Sequence, residues 1–205
     1  MIDPFFDELK KTYKANGYRL YIVGGSVRDS LLGRPFSDHD FVTDATPDQE
    51  RLFLPDASFV FARFGSVRLK REGQEIDVTT LREEGGYGDF RHPSKIVFVK
   101  EPSLDYKRRD FTINALYLDE NYHLLDFCHG EDDLKARLIR FIGDPFLRVH
   151  EDPLRILRAE RFMKALGFSL EAETARAIEE NRFLLRKLNP EKVKEEERKL
   201  LSSVK

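Results

Sequence analysis

The sequence predicts an α+β fold, with a mixed sheet and helices over residues 1–140 and a small helical module over 141–205. Three observations carry this. Short apolar runs alternate with glycine-rich or charged turns up to about residue 130. From Gly130 onward the apolar spacing becomes helical, with Ile156, Ala159, Met163 and Leu166 on one stripe. A chain of 205 residues, 40% hydrophobic and 35% charged, suits one sheet domain plus a helical appendage.

Each element has a local reason. "DPFFDELKKTYKAN" places Phe5, Leu9 and Tyr13 on one face and ends near Gly17, which predicts a helix. "YRLYIVGG" reads as a short buried strand. "SVRDSLLG" follows as a helix opened by Ser26 and closed by Gly33. "HDFVT" is a second strand, and "TPDQERLF" a capped helix with Pro47 in its first turn. "ASFVFARFGSVRLKREGQEIDVTTLR" predicts three strands, with turns at Phe64–Gly65 and "REGQ". "EEGGYGDFRHPSK" reads as a loop, and "IVFV" as another short strand. "RRDFTINALYLD" is expected to run from a helical turn into a strand, with "YHLLDF" as its hairpin partner. Gly130–Gly143 is the expected hinge. Further helices are expected at 171–182 and 191–202. The last is highly charged, with few apolar anchors, and is expected to need a partner or a further segment to be stable.

Composition narrows the class. No apolar run approaches the roughly 18–20 residues that span a bilayer, so no membrane association is expected. The first residues lack the basic and apolar regions of a signal peptide. Cys128 is the single cysteine, so no internal disulfide forms and a cytoplasmic setting is expected. The net charge of −2 hides an asymmetry, with −7 over residues 1–133 and +5 over 134–205. An acidic front half suits cations. A basic back half suits a polyanion such as nucleic acid or nucleotide phosphate, or simply reflects helices rich in lysine and arginine.

The stretch "GGSVRDSLLGRPFSDHD" concentrates the chemistry. Residues i and i+2 of a strand share a face, so Asp38 and Asp40 project together, with His39 opposite. Two carboxylates this close repel unless a cation lies between them. Magnesium suits the position, because it takes oxygen ligands and leaves sites for substrate phosphates. A solvated turn with two surface aspartates is the plainer alternative. Gly24–Gly25 stands at a strand-to-helix turn, where backbone N–H groups can approach a phosphate, and Arg28 lies one helical turn on. In "QEIDVTTLR" a third carboxylate, Asp77 in preference to Glu75 on the same face, would complete a two-metal site.

These residues resemble a known family. "GGSVRDSLLGRPFSDHDFVTDATP" is similar to the signature of the class II tRNA nucleotidyltransferase and bacterial poly(A) polymerase family, within the polymerase β-like superfamily. Further stretches match in order. "RRDFTINAL" (Arg108–Leu116) resembles its ribose- and phosphate-contacting motif, and "GEDDL" (Gly130–Leu134) its hinge motif. "EDPLRILRAERF" (Glu151–Phe162) resembles its base-reading motif, and "NPEKVKEEERKLL" the helix after the neck. The resemblance implies a catalytic head with a mixed five-stranded-type sheet over 1–140 and a helical neck over 141–205. It implies magnesium on Asp38 and Asp40, with Asp77 completing the site or accepting a proton. Gly25, Arg28 and Arg109 would hold the triphosphate, and Asp110 and Asn114 the sugar or local backbone. An N-capping Asp110, a buried Asn114 and a solvated basic turn at Arg108–Arg109 are the structural alternatives.

The base-reading motif also has its own physical reading. On one helix, Glu151, Arg155 and Arg158 would share a face, with Asp152 three residues before Arg155. Intrahelical ion pairs are one outcome. The other is a protein template. An aspartate accepts one hydrogen bond and an arginine donates one, which matches the amino donor and ring-nitrogen acceptor of cytosine and adenine. Uracil and guanine would turn a ring N–H toward the arginine. The resemblance implies this template role for Asp152 and Arg155. It also implies that Arg158 and Arg161 contact the nucleotide or support the template, with a structural role as the alternative for both.

The family includes CCA-adding, CC-adding and A-adding enzymes and poly(A) polymerases. The loop "REEGGYGDFRHPSK" has the length of members that switch to adenine, and "FARFGSVRLK" resembles the "FGTV" run of tRNA-directed members. Addition of C and/or A from CTP and ATP to the 3′ end of tRNA is therefore the expected activity, with an A-adding or CC-adding enzyme, a poly(A) polymerase or a non-catalytic RNA-binding module as the alternatives. Family members are usually longer, with body and tail domains that hold the tRNA elbow. The chain is expected to be either a piece of such a longer protein or a minimal enzyme that grips only the acceptor end, for which a second polypeptide or a second copy of this chain could supply the RNA contacts.

Overall fold

The computed structural model describes residues 3–36, 39–87 and 93–202. They divide into two units. The first takes residues 1–83, 96–108 and 114–127, and the second 84–95, 109–113 and 128–205.

In the first unit, α1 (Pro4–Ala15) starts where Asp3 Oδ1 accepts the N–H groups of Phe5 and Phe6, at 3.0 and 3.1 Å. Its buried face is Phe6, Leu9 and Tyr13, with Phe6 in the core in place of the expected Phe5. After it come β1 (Leu20–Val23), α2 (Gly25–Leu31), β2 (His39–Thr43) and α3 (Pro47–Glu50). Thr46 and Gln49 close a reciprocal capping box on α3. Next come β3 (Ser66–Arg71) and β4 (Gln74–Thr80), joined through Glu72 and Gly73 at φ 50° and 81°. Positive φ at both residues is the signature of a tight hairpin turn. β5 (Arg82–Tyr87) and β6 (Pro93–Phe98) form a separate two-stranded ribbon, of which residues 84–95 belong to the second unit. α4 (Pro102–Asp105), β7 (Leu116–Leu118) and β8 (Leu124–Asp126) complete the first unit.

The main sheet runs β3-β4-β2-β1-β7-β8, antiparallel throughout except for the parallel β2–β4 pair. One face carries Phe41, Val67, Leu69, Ile76 and Val78, all buried, and Phe6 of α1 meets Phe41 edge-on at 5.4 Å between ring centroids. Each such side chain contributes about 1.5–3 kcal/mol by leaving water. The opposite face carries a smaller cluster of Tyr21, Val23, Val42, Leu81 and Tyr117. The polar end of β2 and β4 lies beyond it.

In the second unit, Phe111 stacks on Phe141 at 5.0 Å and meets Phe162 edge-on at 5.6 Å. α5 (Gly130–Ala136) leads to β9 (Leu138–Ile139). Then follow α6 (Pro145–Glu151), α7 (Leu154–Leu166), β10 (Ser169–Leu170), α8 (Ala172–Asn181) and α9 (Pro190–Ser202). β9 and β10 pair in parallel. The charged α9 finds its partner within the unit by packing along α7. Among the described residues, no helix is long and apolar enough to cross a membrane.

A mixed sheet followed by helices is the α+β architecture that the sequence predicts. Four local expectations change. Ser26 does not open α2; its Oγ donates to the Val23 carbonyl at 3.3 Å, and Gly24 caps the helix at φ 82°, ψ −135°. That conformation is open to glycine and costly for other residues. "ASFVFARF" is not a strand. Only Ser58 bridges to Arg68, and Ala62–Phe64 wind into a 3-10 turn. The expected glycine-rich loop is largely paired, since Arg82–Tyr87 and Pro93–Phe98 form the ribbon; residues 88–92 lie outside the described residues. The helix expected through Glu151 and Arg158 is two helices, broken at Asp152–Pro153.

Candidate active site

β2 and β4 lie side by side in parallel, with Asp40 opposite Asp77 in register. Registered residues on neighbouring strands share a face, with backbones about 4.8 Å apart. The two carboxylates therefore stand together on the polar face, and Asp40 is exposed. His39 turns to the other face, as expected, where its Nδ1 lies 2.8 Å from Asp3 Oδ2 and its ring meets Phe5 edge-on at 4.8 Å. That anchor fixes the start of β2 and so the position of Asp40. Asp38 lies outside the described residues. Among those described, no three His, Cys, Asp or Glu side chains gather as a metal site. Asp40 and Asp77 supply oxygen donors alone, on one face and in register, which fits a magnesium site.

Sequence reading missed the partner of Asp77. Arg68 stands opposite Asp77 across the β3–β4 hairpin. Its Nε donates to Asp77 Oδ1 at 2.7 Å and its Nη2 to Oδ2 at 2.9 Å, while Nη1 lies 2.9 Å from Glu75 Oε2. The hydrogen-bonded Asp77 carboxylate, with further help from Glu75 and Asp40, raises the Arg68 pKa. The signal was present in "KREGQE". A two-residue turn at Glu72–Gly73 sets Lys70 against Glu75, and therefore Arg68 against Asp77.

Arg28 and Asn114 are brought together. Arg28 is 7% exposed, and its Nε and Nη2 each donate to Asp29 at 2.9 Å, while Nη1 donates to Asn114 Oδ1 at 2.6 Å. A Cβ at Gly25 would lie 3.5 Å from Arg28 Nη2, so the guanidinium rests against the Gly25 backbone. The glycine that the backbone requires is Gly24.

The remaining expected residues belong to the second unit. Asp110 is buried. Its Oδ1 accepts the Phe111 N–H at 2.8 Å, and its Oδ2 lies 2.5 Å from Arg158 Nη2. The neighbouring Asp110 charge raises the Arg158 pKa. The Arg109 carbonyl accepts from Arg148 Nη2 at 2.6 Å. Asp152 is extended between α6 and α7, and its Oδ1 accepts the Leu154 N–H at 3.0 Å. Pro153 has no N–H to continue the first helix, which explains the break. Arg155 is 6% exposed, and its Nη1 donates to the Arg148 carbonyl at 2.8 Å and to Glu151 Oε2 at 2.7 Å. Glu151 also pairs with Arg148. The guanidinium of Arg155 is thus held in one orientation. Arg161 reaches Glu196 of α9 at 3.8 Å and lies over the Phe162 ring, which gives it a packing role between α7 and α9.

Known proteins match this chain over almost its full length. A family model described as the Poly A polymerase head domain matches residues 20–140. The CCA-adding enzyme of Bacillus pumilus is 43% identical over 203 residues, which is 98% of this chain and 51% of that protein. The crystal structure of the Bacillus stearothermophilus CCA-adding enzyme in complex with CTP superposes with a TM-score of 0.88 at 36% identity, covering 98% of this chain and 49% of that one. The Thermotoga maritima CCA-adding enzyme complexed with tRNA CCA gives a TM-score of 0.78 at 29% identity, over 98% and 48% of the two chains. The chain spans about half the length of the curated relatives it matches. With the head-domain match over 20–140 and this level of identity beyond it, the chain belongs to the CCA-adding enzyme and poly(A) polymerase head-domain family.

Proposed function

We propose that the chain carries the catalytic head (1–140) and helical neck (141–205) of a template-independent nucleotidyltransferase that adds C and A from CTP and ATP to the 3′ end of tRNA. The observation that carries the reading is the in-register pair Asp40 and Asp77 on one polar face. Relatives solved with CTP and with tRNA support the substrate class. The primer 3′-oxygen bonds to the α-phosphorus, the bond from that phosphorus to the bridging oxygen breaks, and pyrophosphate leaves. Magnesium held by Asp38 and Asp40 would lower the hydroxyl pKa and stabilise charge on the reacting phosphate. Asp77 completes that carboxylate face or takes the hydroxyl proton. Gly25, Arg28 and Arg109 serve the triphosphate, and Asp110 and Asn114 the sugar side, in part by holding Arg158 and Arg28. Asp152 accepts from the base amino group and Arg155 donates to the ring nitrogen. Arg158 and Arg161 brace that pair.

Primer extension tests the reading. The protein is mixed with magnesium and a tRNA lacking its 3′ CCA, then given CTP alone, ATP alone, or both. Three added residues only with both nucleotides are expected. Long or A-only products assign an A-adding enzyme or poly(A) polymerase, C-only products a CC-adding enzyme. No incorporation in any mixture overturns the nucleotidyltransferase reading.

A further inference from the structure

Arg68 does more on the polar face than the fold asks of it. Its side chain and that of Asp77 are 41% and 40% exposed, and an ion pair so exposed adds little stability. The core on β3 and β4 is built by Val67, Leu69, Ile76 and Val78 on the other face. Yet Arg68 takes both oxygens of Asp77 through Nε and Nη2 and reaches Glu75 through Nη1. A planar guanidinium engaged in this way fixes the plane of the carboxylate. Asp40, Asp77 and Glu75 share this stretch of the face with Arg68, and Lys70 stands opposite Glu75 in register.

We propose that Arg68 is a positioning residue that orients Asp77 and offsets one negative charge of the Asp40–Asp77 pair, so that a divalent cation is held firmly only when a nucleotide triphosphate adds its own oxygens. The inference rests on the nucleotidyltransferase reading and deepens it. Magnesium sites of this chemistry combine one or two carboxylates with substrate phosphates. A carboxylate pair without a counter-charge would retain the cation by itself. With Arg68 against Asp77, the cation and nucleotide enter together, and the cation's hold weakens once pyrophosphate has left.

The test is Mn2+ binding to the full chain, read by electron paramagnetic resonance of the free ion, without nucleotide and with a non-hydrolysable CTP analogue. Arg68→Ala is expected to bind Mn2+ on the order of tenfold more tightly without nucleotide, and to gain less from the analogue than the parent does. Arg68→Lys keeps the charge but not the planar fork, so its Mn2+ binding without nucleotide is expected to stay within about threefold of the parent. Thermal unfolding of both variants checks that the fold is intact. Unchanged or weaker Mn2+ binding by Arg68→Ala overturns the proposal. Asp40→Asn is expected to lose the bound Mn2+. A parent that binds Mn2+ in this Asp40-dependent way but extends no primer refutes the functional reading alone. A parent that takes up no Mn2+ in either condition refutes both.

Discussion

Glu50 offers a stability prediction that can be worked from the structure. Its side chain on α3 is 0% exposed, and Oε1 accepts the hydroxyl hydrogen of Tyr13 from α1. Oε2 has no hydrogen-bond partner. Burial pushes the carboxyl up from its ordinary 4.5 to about 8, and the Tyr13 hydrogen bond opposes this only in part. The folded chain therefore keeps the Glu50 proton to about pH 8, whereas the unfolded chain releases it near 4.5. The group's stabilising contribution is complete below the unfolded pKa and is lost as pH rises through the folded one. Across the whole interval the loss is roughly 5 kcal/mol, at about 1.4 kcal/mol per pH unit. Glu50→Gln removes the proton equilibrium and keeps an acceptor for Tyr13. Urea unfolding of parent and variant, run from pH 5.5 to 8.5, is the assay. The variant's advantage is expected to grow by roughly 3 kcal/mol across that range. Taking the difference cancels the histidines, which titrate in both proteins. Parallel pH profiles would refute the reasoning.

Three further outcomes are expected. Gly24→Ala destabilises by about 1–3 kcal/mol in urea unfolding, because its φ and ψ disfavour any side chain, whereas Gly25→Ala costs less than about 1 kcal/mol. Asp105 is fully buried and accepts from the Arg82 N–H, the Tyr117 hydroxyl and Arg108 Nε. Asp105→Ala is expected to cost about 3–5 kcal/mol, measured the same way. Asp152→Ala is expected to lower the preference for CTP over UTP in single-nucleotide incorporation by about tenfold or more, since the amino group of cytosine loses its acceptor.

What the sequence could reveal depended on where side chains met the core. β2 and β4 were legible because one face is apolar and the other polar, so alternation pointed Asp40 and Asp77 the same way. Their register was not legible, because a parallel pairing is set by packing elsewhere in the sheet rather than by a local turn. "ASFVFARF" carries a continuous apolar run at Phe59–Ala62 but fails as a strand. Val60 and Phe61, which would face opposite ways in a strand, are 77% and 52% exposed, so the core takes up neither. The β5–β6 ribbon was hidden for the opposite reason, since neither face is core and its glycines and charges read as loop. The i, i+4 pair of Glu151 and Arg155 was foreseen, although Pro153 interrupts the helix between them. Arg68 escaped notice because its chemistry lies across a hairpin rather than along the chain.

The central claim is that the Asp40–Asp77 face performs nucleotidyl transfer. The most direct measurement is the single-turnover rate of CTP incorporation for Asp40→Asn and Asp77→Asn against the parent, with CTP binding and thermal unfolding measured alongside. A loss of at least about 100-fold in rate, with melting retained, is the predicted result. Rates within about twofold of the parent for either variant would contradict that residue's catalytic assignment, and for both variants the account itself.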